Sequence, residues 1–292
     1  MELRVLEYFL AVAREQNITA AAESLHLSQP TLSRQLKDME EGFGKQLFIR
    51  GNRKVTLTEE GILLRKRAEE ILELVKKTEQ DIKLSDESIA GDIVLGTGES
   101  EGVRLLIHAG MNLQQRYPDI HIHTVSGDSY DLMEHLDKGL FDFAVLWDPV
   151  DLSKYESIQL PYKDRICLLM QKDSPLAAKE KIYLTDLAGL PIISARQQSD
   201  NNAIMDALKS LDMKLNIVAT YNLIYNASLM VQEGMGYAIG FDNIIDTSGN
   251  RNLITKPIYP LTELSMNLVW KKYPVFNKAS NLFLQEVSKL TG

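Results

Sequence analysis

Residues 28–39, Ser-Gln-Pro-Thr-Leu-Ser-Arg-Gln-Leu-Lys-Asp-Met, constrain the fold more than any other stretch of the chain. Ser28 is a good N-cap, able to accept a free backbone N–H, and Pro30 is tolerated in a first turn, where its missing donor matters little. A helix therefore starts here. At about 100° per residue, Leu32, Leu36 and Met39 gather on one side, while Pro30, Ser33, Arg34 and Lys37 gather on the other. One face is core; the other is short, polar and cationic.

Just upstream, Thr19 to Leu25 reads as a second short helix with Ala21, Ala22 and Leu25 as its apolar side. Its alanines let another helix cross closely, and only His26 and Leu27 separate it from Ser28. This is a helix-turn-helix pattern, whose second helix lies in the DNA major groove with its N-terminal side chains against base edges. Gln29 has the chemistry for adenine, Arg34 for guanine, and the methyl of Thr31 for thymine. Downstream, Leu47 to Leu57 reads as two short apolar strands around Gly51-Asn52, a hairpin with three cations at its tip. Ser28 to Lys54 holds six Lys/Arg against three acids, a balance of +3 in a chain whose total is -8. A local cationic patch is enough for phosphate contacts.

The pattern Ala21-Ala22-x-x-Leu25-x-x-Ser28-Gln29-Pro30-x-x-Ser33-x-Gln35-x-x-x-x-Glu40, followed by Gly44-x-x-Leu47-Phe48-x-Arg50-x-x-Arg53-x-x-x-Leu57-Thr58-x-x-Gly61, resembles the winged helix-turn-helix of LysR-type transcriptional regulators. Met39 and Phe43 stand where that family usually has leucine, which alters packing rather than base contacts. The resemblance implies that Gln29, Pro30, Thr31, Ser33 and Arg34 face the groove, and Arg50 and Arg53 the DNA backbone. It also implies an α/β fold in three parts: the winged head over 1–60, a linker and dimerisation helix over 58–88, and an effector-binding region over 89–292. That region would hold two Rossmann-like subdomains, as in a periplasmic binding protein, one over about 91–161 plus 265–292 and the other over about 162–264. The chain would cross between them near Tyr162 and Leu264. Assembly as a homotetramer rests on the resemblance alone.

The residues themselves carry the reading further. The first helix places Leu3, Leu6, Phe9, Leu10 and Ala13 on one side and closes near Asn17, a residue that tolerates a left-handed turn. Thr58 can cap a helix running to about Ser85, in which Leu64, Ala68, Ile71, Val75, Thr78 and Ile82 recur at heptad spacing. Two uses of that seam compete: pairing of two subunits, or packing on its own domain. A homodimer is favoured functionally, because one winged module reads few bases. Ser85 to Gly91 is polar and aperiodic, a hinge.

From Asp92 onward strands and helices alternate in two sets, which predicts a largely parallel sheet covered on both faces. In such sheets small molecules bind beyond the carboxyl ends of strands, often at helix N-termini. Four polar loops stand at such places: Thr97-Gly98-Glu99-Ser100, Ser126-Gly127-Asp128-Ser129, Ser194-Ala195-Arg196-Gln197 and Tyr221-Asn222, with Trp147 as an apolar wall. The effector candidates are therefore Thr97, Gly98, Glu99, Ser100, Ser126, Ser129, Trp147, Arg196 and Asn222. In the family these loops line the cleft between subdomains. Glu99, Glu101 and Asp128 disfavour a simple carboxylate effector, while Arg196 pulls the other way.

Other chemistries are weaker. Gly98-Glu99-Ser100-Glu101-Gly102 fits the nucleophile-elbow pattern after a strand and before a helix, which leaves a Ser100 hydrolase, or a plain solute-binding protein, as the alternative. A hydrolase also needs a late histidine, and the five histidines are His26, His108, His121, His123 and His135. His121 and His123 share a strand face without other metal-type ligands nearby, so no metal and no cofactor is expected. A single cysteine, Cys167, in the apolar run 166–170, reads as a passive core thiol. Met1-Glu2-Leu3-Arg4 already opens an amphipathic helix and no apolar run is long enough for a bilayer, which predicts a cytoplasmic protein. The expected partners are double-stranded DNA, a small-molecule effector and further copies of the chain, with no membrane.

Overall fold

The computed structural model describes residues 2–51, 54–83, 89–196, 203–247, 252–261, 263–274 and 276–291. The chain divides into two compact units, Met1–Lys83 and Leu84–Gly292. Arg53, the tip cation of the expected wing, and most of the expected hinge lie outside the described residues.

The first unit is built from α1 (Leu3–Glu15), α2 (Ile18–Ser24), α3 (Gln29–Phe43), the hairpin of β1 (Phe48–Arg50) and β2 (Val55–Leu57), and α4 (Glu59–Lys83). The first helix ends at Gln16, whose φ of 53° makes it the left-handed residue. Asn17, expected in that role, instead caps α2, its side chain accepting the backbone N–H groups of Thr19 and Ala20 at 2.9 and 3.1 Å. Asn tolerates both positions, but only capping satisfies two free donors at once. Ser28 caps α3, accepting from the Thr31 N–H at 3.3 Å, and Gly44 closes it in the left-handed region at φ 63°. Leu6, Phe9, Val12, Ala21, Ala22, Leu32 and Leu36 are fully or almost fully buried in one core, where the Phe9 and Phe48 rings meet at 5.1 Å. Burial of each large side chain is worth about 1.5–3 kcal/mol.

The heptad seam of α4 is divided. Ala68 is buried in this same core, with Leu64, Ile71 and Leu72 packed against it, so the first half of the seam serves the unit's own interior. Ile62, Leu63, Leu74 and Ile82 remain exposed. The start of α4 is clamped to the hairpin: the Thr58 hydroxyl donates to the Gln46 carbonyl at 2.8 Å and accepts from the Gly61 N–H at 3.0 Å. A Cβ at position 61 would stand 2.1 Å from the Leu47 carbonyl oxygen, so only glycine fits this approach.

The second unit runs β3 (Gly91–Thr97), α5 (Val103–Arg116), β4 (Ile120–Ser126), α6 (Ser129–Asp137), β5 (Phe143–Trp147), β6 (Tyr155–Gln171), β7 (Ile182–Tyr183), β8 (Pro191–Ala195), α7 (Ala203–Ser210), β9 (Asn216–Tyr221), α8 (Ile224–Gln232), β10 (Tyr237–Phe241), β11 (Leu253–Tyr259), β12 (Glu263–Lys271) and α9 (Lys278–Ser288). The strand order is β4-β3-β5-β12-β6-β10-β8-β9, with β11 paired to β6 and β7 paired to β11. Parallel pairs lie at the two ends, β3 with β4 and β5, and β8 with β9 and β10. The centre is antiparallel, which corrects the expectation of a largely parallel sheet: β12 opposes β5 and β6, and β10 and β11 oppose β6.

The 17-residue β6 joins the two halves. Tyr155 to Arg165 pairs with β12, and Ile166 to Gln171 pairs with β10 and β11. Alternate residues of its second part face opposite layers: Ile166, Leu168 and Met170 join a core with Ile192 and Leu208, whereas Leu169 joins Ile193, Ile224 and Val231. The first half is likewise covered on both faces, with Leu106, Phe143 and Phe283 in one core and Leu132, Leu136 and Leu146 in the other. No helix among the described residues is long and apolar enough to cross a membrane.

Candidate functional site

The outer face of α3 is the first candidate. Leu32, Leu36 and Met39 are buried, while Gln29, Pro30, Thr31, Arg34 and Lys37 are exposed and Ser33 is half-buried. The polar groups of the first turn are pre-ordered: the Ser28 and Thr31 hydroxyls share a hydrogen bond of 2.7 Å, and the Gln29 amide donates to Ser33 at 3.2 Å. Arg34 is 83% exposed with Asp38 at 3.9 Å, and Lys37 stands 3.5 Å from Glu41. Such exposed pairs are worth at most about 1 kcal/mol and yield readily to a phosphate or base.

Arg50 is held differently. Its guanidinium meets Glu40 at 3.1 Å, and the other oxygen of Glu40 accepts the backbone N–H groups of Leu47 and Phe48 at 2.8 and 3.1 Å. Glu40 thus ties the hairpin to α3, a role that a tally of charges in the sequence cannot reveal. Its one visible signal was a place in the spaced motif.

The second candidate is a cavity of about 610 Å³ in the second unit. It opens beyond the carboxyl ends of β3, β5, β8 and β9, and it receives side chains from both halves of the sheet. Gly98, Glu99, Ser129, Trp147, Arg196 and Asn222 line it as the strand-end argument expects. Thr97, Ser100 and Ser126 do not. Thr97 is buried, its hydroxyl donating to the Gly98 carbonyl at 2.8 Å, and Ser126 is exposed at the end of β4. Lining residues that escaped the sequence reading include Tyr130, Met133, Asp148, Asp151 and Phe241. Extending the strand-end rule one residue past Trp147 reaches Asp148, and applying it to β10 reaches Phe241, the last residue of that strand.

Ser100 donates to both oxygens of Asp164, at 2.9 and 2.7 Å, and accepts from the Gly102 N–H at 2.9 Å. The Trp147 indole N–H reaches the same carboxylate at 2.6 Å. Burial raises the carboxyl of Asp164 above its ordinary value, and these two hydrogen bonds oppose the rise. These hydrogen bonds tie the loop after β3 to Asp164 on β6.

Among the described residues, polar contacts cross between the strand-end loops of the two halves. Glu99, after β3, accepts the Ile224 N–H at the start of α8, and Arg196, after β8, meets Asp128 at 3.1 Å and Asp131 at 3.5 Å. Trp147 and Phe241 face each other at 5.4 Å. Burial pushes the Cys167 thiol up to about 12, so it stays protonated at neutral pH. His123 and His121 lie 3.2 and 3.8 Å from Asp92, and no group of three metal-binding side chains occurs among the described residues.

A winged helix-turn-helix head and an α/β region with a cavity between two half-sheets define a DNA-binding transcription regulator with an effector-binding domain. Residues 3–62 match the bacterial regulatory helix-turn-helix proteins of the lysR family, and residues 86–290 match the LysR substrate binding domain. The chain belongs to the LysR family of transcription regulators. It is 31% identical over 245 residues to the HTH-type transcriptional regulator BsdA of Bacillus subtilis, covering 82% of this chain and 83% of that one. The DNA-binding transcriptional dual regulator OxyR of Escherichia coli is 31% identical over 189 residues, 65% of this chain and 62% of that one. In fold, the chain superposes on the LysR family regulator CbnR over the whole of both chains with a TM-score of 0.77 at 18% identity. CbnR complexed with its target DNA gives 0.76 at 18% identity, covering 99% of this chain and 100% of that one.

Proposed function

We propose that α3 enters the major groove, with Gln29, Pro30, Thr31, Ser33 and Arg34 at base edges and Lys37, Arg50 and Arg53 at phosphates, while a small molecule in the cavity sets which arrangement of the heads is favoured. The observation that carries the reading is the division of α3: three apolar residues inside, five polar or short ones outside at its N-terminal end. The cavity supports the second part, because a ligand touching both halves binds one degree of closure better than another, and only such a difference shifts a population. The cytoplasm is where such a regulator meets its DNA. A thiol-based response has little support, since the single cysteine is buried and protonated.

The exposed apolar side chains of α4 suit pairing of two copies. Leu63 and Leu74 lie within about 20° of each other around that helix. In sedimentation, Leu63→Asp with Leu74→Asp should shift the protein toward monomer; an unchanged oligomer would place the contact elsewhere. A dimer of such dimers accords with the family's larger assemblies.

The function itself is tested by a footprint of the protein on its own upstream DNA at near-physiological salt, with and without a metabolite extract. A discrete, two-fold symmetric site that changes length with the extract is expected. Ala195→Trp, which puts an indole into the cavity from the end of β8, should abolish the change and keep the site. Uniform coating of the DNA would refute sequence reading, and a response that survives Ala195→Trp would refute the cavity.

A further inference from the structure

The cavity holds two devices suited to an anion, and the chain's own carboxylates occupy both. The start of α8 offers backbone N–H groups at the positive end of a helix, and Glu99 accepts the first of them. The guanidinium of Arg196 is turned to Asp128, which is buried and accepts from it at 3.1 Å. An incoming carboxylate or phosphate would share these donors with the chain's own acids and lie beside their charge. Four acids, Glu99, Asp128, Asp148 and Asp151, face the cavity against one cation, Arg196, a formal balance of -3 among the described lining residues.

The remaining surface has the opposite preference. Among the described residues, Asp148 accepts from the Asn267 amide at 3.1 Å, and Asp151 accepts from the Ser153 N–H at 2.9 Å and from the Ser153 hydroxyl. The backbone hydrogen bond from Ser153 holds the Asp151 carboxyl below its ordinary value, so it is ionised at neutral pH. Trp147, from the first half, and Phe241, from the second, form an aromatic wall at the same opening, and Tyr130 adds a third ring. Aromatic faces beside carboxylates attract a cation and cover an apolar body.

We infer that the effector is an organic cation, an amine or amidine with an apolar body, seated between the Trp147–Phe241 pair and the carboxylates of Asp148 and Asp151. This rests on the reading of the cavity as the effector site. The cation leaves the Glu99–α8 and Arg196–Asp128 contacts in place, so it can bind the closed arrangement that those contacts hold. An anion would compete with the chain's own carboxylates for those donors.

Benzamidine and benzoate have nearly the same shape and opposite charge, and titration calorimetry of the full chain with each is the test. Benzamidine should bind at least about ten-fold more tightly than benzoate, a difference of about 1.4 kcal/mol. Asp148→Asn with Asp151→Asn should remove that advantage, and Ala195→Trp should abolish benzamidine binding. Benzoate binding as tight as benzamidine, or no benzamidine heat up to about 10 mM, would overturn the inference. Its failure is separable from failure of the cavity reading. A footprint response lost in Ala195→Trp but carried by the anion-exchange-retained part of an extract would sink the cation alone, whereas a response that survives Ala195→Trp would sink the cavity.

Discussion

In the head, Arg34 is 83% exposed and only 3.9 Å from an equally loose Asp38; in the effector region, Arg196 is also mostly exposed but rests on Asp128, whose side chain is 8% exposed. The same guanidinium is available in one place and committed in the other. What differs is the partner. An exposed acid on a helix turn gives way at little cost, whereas a buried one has lost its water and needs its cation. On the proposed reading the head exchanges its exposed ion pairs for nucleic acid, and the cavity keeps its own.

The sharpest way to separate the two regions is to remove the head's central ring. Phe9→Ala should cost about 3–5 kcal/mol of head stability. Specific DNA binding should vanish in a mobility-shift assay while calorimetric binding to the cavity persists; loss of both would mean that the two units are not independent. Next in size is a contrast within the head. Arg34→Ala should weaken specific binding by about 1–3 kcal/mol and relax one base position, whereas Arg50→Ala should weaken all sequences alike and flatten the salt slope by about one. A flattened slope from Arg34→Ala would exchange their roles. Because Arg50 also bridges to Glu40, its loss should lower the head's melting temperature slightly, which Arg34→Ala should not do. The smallest effect is in the cavity. Asp128→Asn keeps a competent cap for α6, where the side chain accepts the Asp131 N–H, but removes the charge that holds Arg196. With Arg196 so exposed, urea unfolding should register no more than about 1 kcal/mol. Benzoate binding should improve, because a guanidinium is released to the cavity; no gain in benzoate affinity would break the comparison.

The head was largely legible because its signals are local. Ser28 caps its helix as its chemistry dictates, the apolar side of α3 is the buried side, and Thr58 opens α4. The miss at Gln16 and Asn17 came from two residues competing for adjacent roles. The effector region was less legible in its middle. The first part of β6, Tyr155 to Arg165, carries Glu156, Lys163, Asp164 and Arg165, and a strand at the antiparallel centre of a sheet does not show the continuous apolar run of a buried parallel strand. Asp164 reads as a surface acid until Ser100 and Trp147, 64 and 17 residues away, are brought to it. For the same reason the strand-end rule found the loops of the cavity but not which side chains enter it. Thr97 and Ser100 sit in the right loop and turn to the backbone and to Asp164.

The strand β6 also decides where this chain tolerates surgery. Since one continuous segment pairs in both half-sheets, a break within Tyr155 to Gln171 would sever the strand that their two ladders share. New termini or an inserted reporter domain belong instead outside the strands. A sensor made by splitting this protein would therefore give all of β6 to one fragment, and that fragment would template the folding of the other.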